Sequence, residues 1–196
     1  RYDAIGGISP LAARTEAQRD ALQVALNEIA PDKYEVVLGL KHAAPMIETA
    51  VNDLAARGFQ HIIGLVLAPH YSSFSIGQYM GRARAAAEPH GLEVTSIDSW
   101  ATEPAFIEFL AADLRTRLSA MPENTKVLFT AHSLPQRIID AGDPYPDELR
   151  STAEAVATAA GLESWSSWSI ASRACARTVS LPPHPLIIRS ACSFVD

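Results

Sequence analysis

The sequence predicts an α/β protein: a parallel sheet flanked by helices in a three-layer, Rossmann-like sandwich. Two observations carry that prediction. Short runs that are apolar along their whole length recur, as in His61–Ala68 and Lys126–Ala131. Between them lie stretches with apolar residues at i, i+3, i+4 and i+7, the repeat of a helix with one inner face. A strand with no polar alternation is covered on both sides, which is what helical crossovers over a parallel sheet provide. With 48% hydrophobic and 19% charged residues, the chain has ample material for a core and is not of disordered composition.

The elements follow in order. Gly6-Gly7 and Ser9-Pro10 predict a turn before a helix. Within residues 14–29, Leu22, Ala25, Leu26 and Ile29 share one apolar face. Pro31-Asp32 stops that helix, and Tyr34–Leu40 reads as a strand. Pro45 suits a first helical turn because it has no amide hydrogen to leave unpaired. The helix it opens turns Ile47, Ala50, Val51 and Leu54 inward and ends at Gly58, a left-handed cap. His61–Ala68 is the clearest strand, bounded by Pro69. A helix over 76–88, the turn Pro89-His90-Gly91 and a strand over Leu92–Ile97 come next. A helix over 103–119 carries Ile107, Leu110, Ala111, Leu114 and Leu118 inward, and Lys126–Ala131 is a further buried strand. The last helix, over 146–160, lines up Leu149, Ala153, Val156 and Ala160.

Composition excludes several function classes. A length of 196 residues suggests one domain, or one plus part of another. With 16 Lys and Arg against 22 Asp and Glu, the net charge of -6 argues against nucleic acid as a partner. No apolar run is long enough for a transmembrane segment. Two cysteines make neither a disulfide framework nor a metal knuckle, so a cytoplasmic location is expected. Gly6-Gly7-Ile8-Ser9 is not the dinucleotide fingerprint, and the Walker loop, the GxSxG elbow and the HExxH pattern are absent.

In parallel α/β sheets, ligands collect at the carboxyl ends of the strands. That rule selects two loops, Pro69–Ser75 and His132–Arg137, both rich in hydroxyls, histidine or aromatics. His132 follows its strand at once. It is either a loop histidine bonded to backbone or a neutral imidazole facing a crevice, able to ligate a divalent metal or accept a proton. His42 also sits between a strand and a helix, where it is either a helix-entry residue or a site residue. Tyr79 and Phe74 suit a flat apolar ligand and suit core packing equally well. Asp143-Pro144-Tyr145-Pro146-Asp147 reads as a stiff helix entry, close enough to His132 to support a metal ligand.

Taken together, six segments resemble the ferrochelatases, the monofunctional bacterial coproporphyrin type in particular. They are Arg1–Leu11, Leu38-Gly39-Leu40-Lys41-His42, Leu67–Ser75, Ile97-Asp98-Ser99-Trp100, Thr130–Pro135 and Gly142–Asp147. The likeness is nearly continuous from Arg1 to about Trp168, in order and spacing. It implies two similar chelatase-like α/β domains around a porphyrin cleft, and insertion of ferrous iron into coproporphyrin III or protoporphyrin IX in haem biosynthesis. Porphyrin and ferrous iron are then the partners, with Fe2+ a substrate and no permanently bound cofactor. His132 matches the family's metal-binding and proton-accepting histidine. Arg1, Tyr2, Ser9 and Tyr79 match positions that line the porphyrin, and His42 matches a cleft histidine. Arg1 is expected to hold a propionate through its guanidinium fork.

The resemblance also implies domain limits: an N-terminal domain over 1–120, incomplete at its start, the start of a second domain over 121–168, and an anomalous tail over 169–196. The family's N-terminal strand and its tyrosine would precede Arg1. Its glutamate partner for the histidine lies in the second domain and has no counterpart in 169–196. Of the 22 acidic residues only Asp196 lies beyond Glu163, and both cysteines fall in the tail, so a shifted reading frame is one expectation and a strand at 186–188 the other. A chain without that glutamate is expected to insert little or no iron. Two alternatives are a porphyrin-binding fragment without catalysis and a small cobalt or sirohydrochlorin chelatase acting as a dimer.

Overall fold

The computed structural model describes Gly7, residues 9–169 and residues 186–189. Helices and strands alternate as α1 (Leu11–Ile29), α2 (Ile47–Ala56), β1 (His61–Leu65), α3 (Ile76–Ala87), β2 (Glu93–Ile97), α4 (Pro104–Leu118), β3 (Val127–Ala131), α5 (Gln136–Asp140), α6 (Tyr145–Ala160), β4 (Trp165–Ser169) and β5 (Leu186–Arg189). The fold is α/β. Among the described residues, β1 and β2 form one small sheet, and β3 lies between β4 and β5 in another. Both pairings of β3 are parallel, with Val127 opposite Trp165 on one side and Leu186 on the other. Of the two readings of the tail, a strand at 186–188 matches β5. Residues 170–185 and 190–196 lie outside the described residues.

The chain divides into two compact units, one of residues 1–62 and 81–95, the other of residues 63–80 and 96–196. In the first unit, α2 buries Ile47, Val51 and Leu54, three of the four residues its helical spacing selects. Gly58 stands just beyond it at φ 86°, the left-handed position a side chain would strain. Gly39 has a different reason to lack a side chain. A methyl group there would come within 3.2 Å of the Ile47 Cα, on the backbone of the first turn of α2.

Two expectations for this unit are corrected. The apolar face of α1 is only partly covered: Leu22 and Leu26 are half-buried, Ala25 is exposed and Ile29 is 81% exposed. Spacing identifies which residues share a face, not what covers it. Among the described residues the run Tyr34–Leu40 joins no ladder; Leu40 alone bridges, in parallel, to Met46. The Gln23 side chain takes up its polar groups instead, with Nε2 donating to the Tyr34 carbonyl at 2.9 Å and Oε1 accepting from the Val36 amide at 2.7 Å. Strand propensity makes a ladder only where another backbone offers partners.

In the second unit, α4 and α6 pack against β3. Ile107, Ala111 and Leu114 from α4, Val127 from β3 and Val156 from α6 form the buried cluster. Phe129 and Trp165 meet edge to face across β3 and β4, their ring centroids 5.4 Å apart. The Glu103 carboxylate caps α4 by accepting from the Phe106 amide at 2.9 Å, and Pro104 occupies the first turn. A second cluster joins Ala68 to Ile76 and Met80, with Tyr71 and Tyr79 packed on it. β1 stops at Leu65 rather than Ala68 because Trp100 Nε1 donates to the Val66 carbonyl at 3.1 Å and the Trp100 amide to the Pro69 carbonyl at 3.0 Å. The loop after β1 is thereby held to the loop after β2.

Candidate functional site

The site is built at the carboxyl end of β3. Ala131 ends the strand and His132 follows with its side chain exposed. The backbone beneath it is fixed, since the Tyr145 hydroxyl donates to the His132 carbonyl at 3.2 Å. Tyr145 is 4% exposed at the first position of α6, between Pro144 and Pro146. Fixed φ angles on either side of it limit where that ring can go.

Two carboxylates from the same entry bind the Pro69–Ser75 loop. Asp143 Oδ2 accepts from Ser73 N at 2.8 Å, Ser73 Oγ at 2.8 Å and Ser72 Oγ at 3.1 Å, while Oδ1 accepts from the Tyr145 amide at 3.1 Å. Ser72 is fully buried, and its oxygen in turn accepts from the Phe74 amide at 3.1 Å. Glu148 Oε2 accepts from the Tyr71 amide at 2.7 Å and from Ser99 Oγ at 2.8 Å. Each carboxyl group thus accepts from backbone and hydroxyl donors of the same loop or its neighbour.

His70 is the buried histidine of this region, 3% exposed. His70 Nε2 lies 2.9 Å from Thr152 Oγ1, whose own hydrogen is also within reach of the Ala101 carbonyl at 2.7 Å and the Glu148 carbonyl at 3.1 Å. Nδ1 is buried and has no partner among the described residues. Burial lowers the His70 pKa from the ordinary 6.5 to about 4, which keeps the ring neutral. It packs on Tyr145 in a T-shaped arrangement, with ring centroids 6.1 Å apart and the planes at 85°.

Tyr79 stands half-buried on α3 against the Ala68, Ile76 and Met80 cluster. Packing is therefore part of its role. In the first unit, His42 is exposed in the loop Lys41–Pro45, closed at its ends by Leu40 N to Pro45 O at 2.8 Å and Ile47 N to Leu40 O at 3.1 Å. Arg82 clamps this loop through Nη1 on the Lys41 carbonyl at 2.9 Å while gripping Glu48 with Nε and Nη2 at 2.6 and 2.7 Å. The guanidinium pulls the Glu48 pKa from 4.5 to about 2. Ser9 is exposed, and its hydroxyl accepts from the Leu11 amide at 3.3 Å at the start of α1. Arg1 and Tyr2 lie outside the described residues. His61 and His90 have structural partners, Thr95 Oγ1 at 2.7 Å and Asn52 Oδ1 at 2.9 Å.

Sequence reasoning singled out His132 and the Asp143–Asp147 turn but assigned neither Glu148 nor Ser99 to the site. No local pattern pairs Glu148 with Tyr71. Among the described residues, no three His, Cys, Asp or Glu side chains converge as a metal cage, and no helix is long and apolar enough to cross a membrane.

The chain is an α/β protein that presents a histidine at a parallel-strand end, the position where such folds commonly place ligand sites. A family model described as ferrochelatase matches residues 1–174, and the chain belongs to the ferrochelatase family. Coproporphyrin III ferrochelatase of Geobacillus kaustophilus is 46% identical over 168 residues, covering 83% of this chain and 53% of that protein. Coproporphyrin III ferrochelatase of Halalkalibacterium halodurans is 42% identical over 169 residues, 84% of this chain and 54% of that protein. Coproporphyrin III ferrochelatase 1 of Bacillus anthracis is 46% identical over 171 residues, 84% and 55% of the two. The chain thus spans about half the length of the curated relatives it matches.

Proposed function

We propose that this chain carries ring-handling and iron-handling residues of a coproporphyrin III ferrochelatase acting in haem biosynthesis in the cytoplasm. The observation that carries the reading is the exposed His132 at the end of β3, inside a stretch 42–46% identical to proteins of that name. Insertion exchanges the two pyrrole protons of the free-base ring for one Fe2+ ion, so charge is conserved when both protons reach a base or water. A neutral imidazole at His132 does one of the two jobs a side chain can do here. It accepts a pyrrole proton, or it replaces a water on the iron and delivers the ion. Arg1, Tyr2, Ser9, His42 and Tyr79 are assigned to the ring, Arg1 through a propionate.

Nothing among residues 169–196 supplies the family's partner glutamate, because the only acid there is Asp196. The residues present are expected to bind ring and metal and to insert iron slowly. Ring binding with no insertion at all is the second reading. The test is an absorbance titration of metal-free coproporphyrin III and protoporphyrin IX into the full chain. A saturable Soret shift, tighter for coproporphyrin III, is expected. Absence of a saturable shift with either ring sinks the assignment.

A further inference from the structure

We infer that Asp143–Glu148 is a positioning bracket that ties the Pro69–Ser75 loop to the backbone of His132, so that the two strand-end loops hold one fixed geometry. The inference deepens the proposed function and rests on His132 being the metal-handling residue.

Three contacts at successive depths make the bracket. Asp143 holds the hydroxyls of Ser72 and Ser73 and the Ser73 amide, all within 3.1 Å, through a single oxygen. Glu148, one helical turn further on, holds the Tyr71 amide at 2.7 Å. Between them Tyr145 reaches the other way, its hydroxyl on the His132 carbonyl at 3.2 Å. The second oxygen of Asp143 accepts from the Tyr145 amide at 3.1 Å, so one carboxylate connects both directions. His70, on the loop side, backs the Tyr145 ring in a T-shaped contact with centroids 6.1 Å apart, and its Nε2 lies 2.9 Å from Thr152 Oγ1. A purely local helix entry needs none of the contacts to residues 71–73, which lie 70 or more positions away in the chain. Groups that orient a metal ligand without touching the metal commonly change its affinity by about 10- to 100-fold.

Two near-isosteric variants separate the halves. Tyr145→Phe deletes the hydroxyl that donates to the His132 carbonyl. Asp143→Asn keeps an oxygen for the Tyr145 amide but sets an NH2 against the Ser73 amide, so it breaks only the loop side. Amide hydrogen exchange is read at residues 71–73 and 132–134 of the full chain, and zinc titration follows the His132 imidazole signals, assigned with His132→Ala. The bracket predicts that Tyr145→Phe weakens zinc binding at His132 about tenfold and speeds exchange at 132–134. It also predicts that Asp143→Asn speeds exchange at 132–134 as well as at 71–73. Asp143→Asn exchange confined to 71–73 overturns the bracket, as does zinc binding unchanged in Tyr145→Phe although lost in His132→Ala. Zinc binding that survives His132→Ala in the parent chain overturns the metal-site reading instead, and the exchange coupling then decides the bracket alone.

Discussion

His70 illustrates what a single buried residue dictates. Its folded pKa of about 4 lies below the ordinary 6.5 because the ring is buried, so the folded state favours the neutral form. Below pH 6.5 the unfolded chain takes up a proton that the folded chain does not. Stability is therefore complete above that pH and falls as pH drops towards 4, by at most about 3 kcal/mol. NMR of the His70 ring should show no titration between pH 7 and 5, and a midpoint near 6.5 would contradict the assignment. Glu48 shifts in the direction usual for a paired carboxylate. With its pKa lowered from 4.5 to about 2, its contribution is fully present above 4.5 and is lost progressively as pH falls from there through about 2. Carboxyl 13C shifts should show Glu48 still ionised at about pH 3.5, a state that Arg82→Gln should abolish. At this scale the sequence was informative about His132, which follows an apolar strand directly. It was silent about His70, because nothing near Pro69-His70-Tyr71 foretells the Thr152 hydroxyl beneath it.

At the scale of elements, the helices were the most legible part, because their inner faces are decided by spacing within one segment. Ile107, Ala111 and Leu114 are buried as their spacing on α4 predicts. Leu114→Ala removes a fully buried side chain from the cluster with Val127 and Val156, and a loss of about 2–5 kcal/mol is expected in denaturant unfolding. A loss below about 0.5 kcal/mol, the level of an ordinary surface substitution, would contradict that packing. Among the described residues Tyr34–Leu40 forms no ladder, and whether such a run pairs rests on a partner that its own residues do not encode. In the same segment Gly39→Ala is expected to destabilise the first unit, since the added methyl meets the Ile47 backbone at 3.2 Å. Selective loss of α2 amide protection, with α4 and α6 unaffected, is the readout.

At the scale of the molecule, the α/β class was legible because alternation of strand and helix is written along the whole chain. The site was legible only in its local parts. The strand-end loops announced themselves through histidine, hydroxyls and prolines, whereas the carboxylates that join them act across 70 or more positions. Such cross-links depend on which loops the sheet brings together, and that is a property of topology rather than of any window of sequence. Membership of the ferrochelatase family gives the strand-end histidine its context, and the proposed chemistry asks one thing of it above all. The most direct test is prolonged anaerobic incubation of ring-saturated protein with ferrous iron, comparing the parent chain with His132→Ala. The account predicts metalloporphyrin above the protein-free background for the parent chain, and background alone for His132→Ala with ring affinity unchanged. Equal formation by the two proteins, or none above background by either, contradicts it.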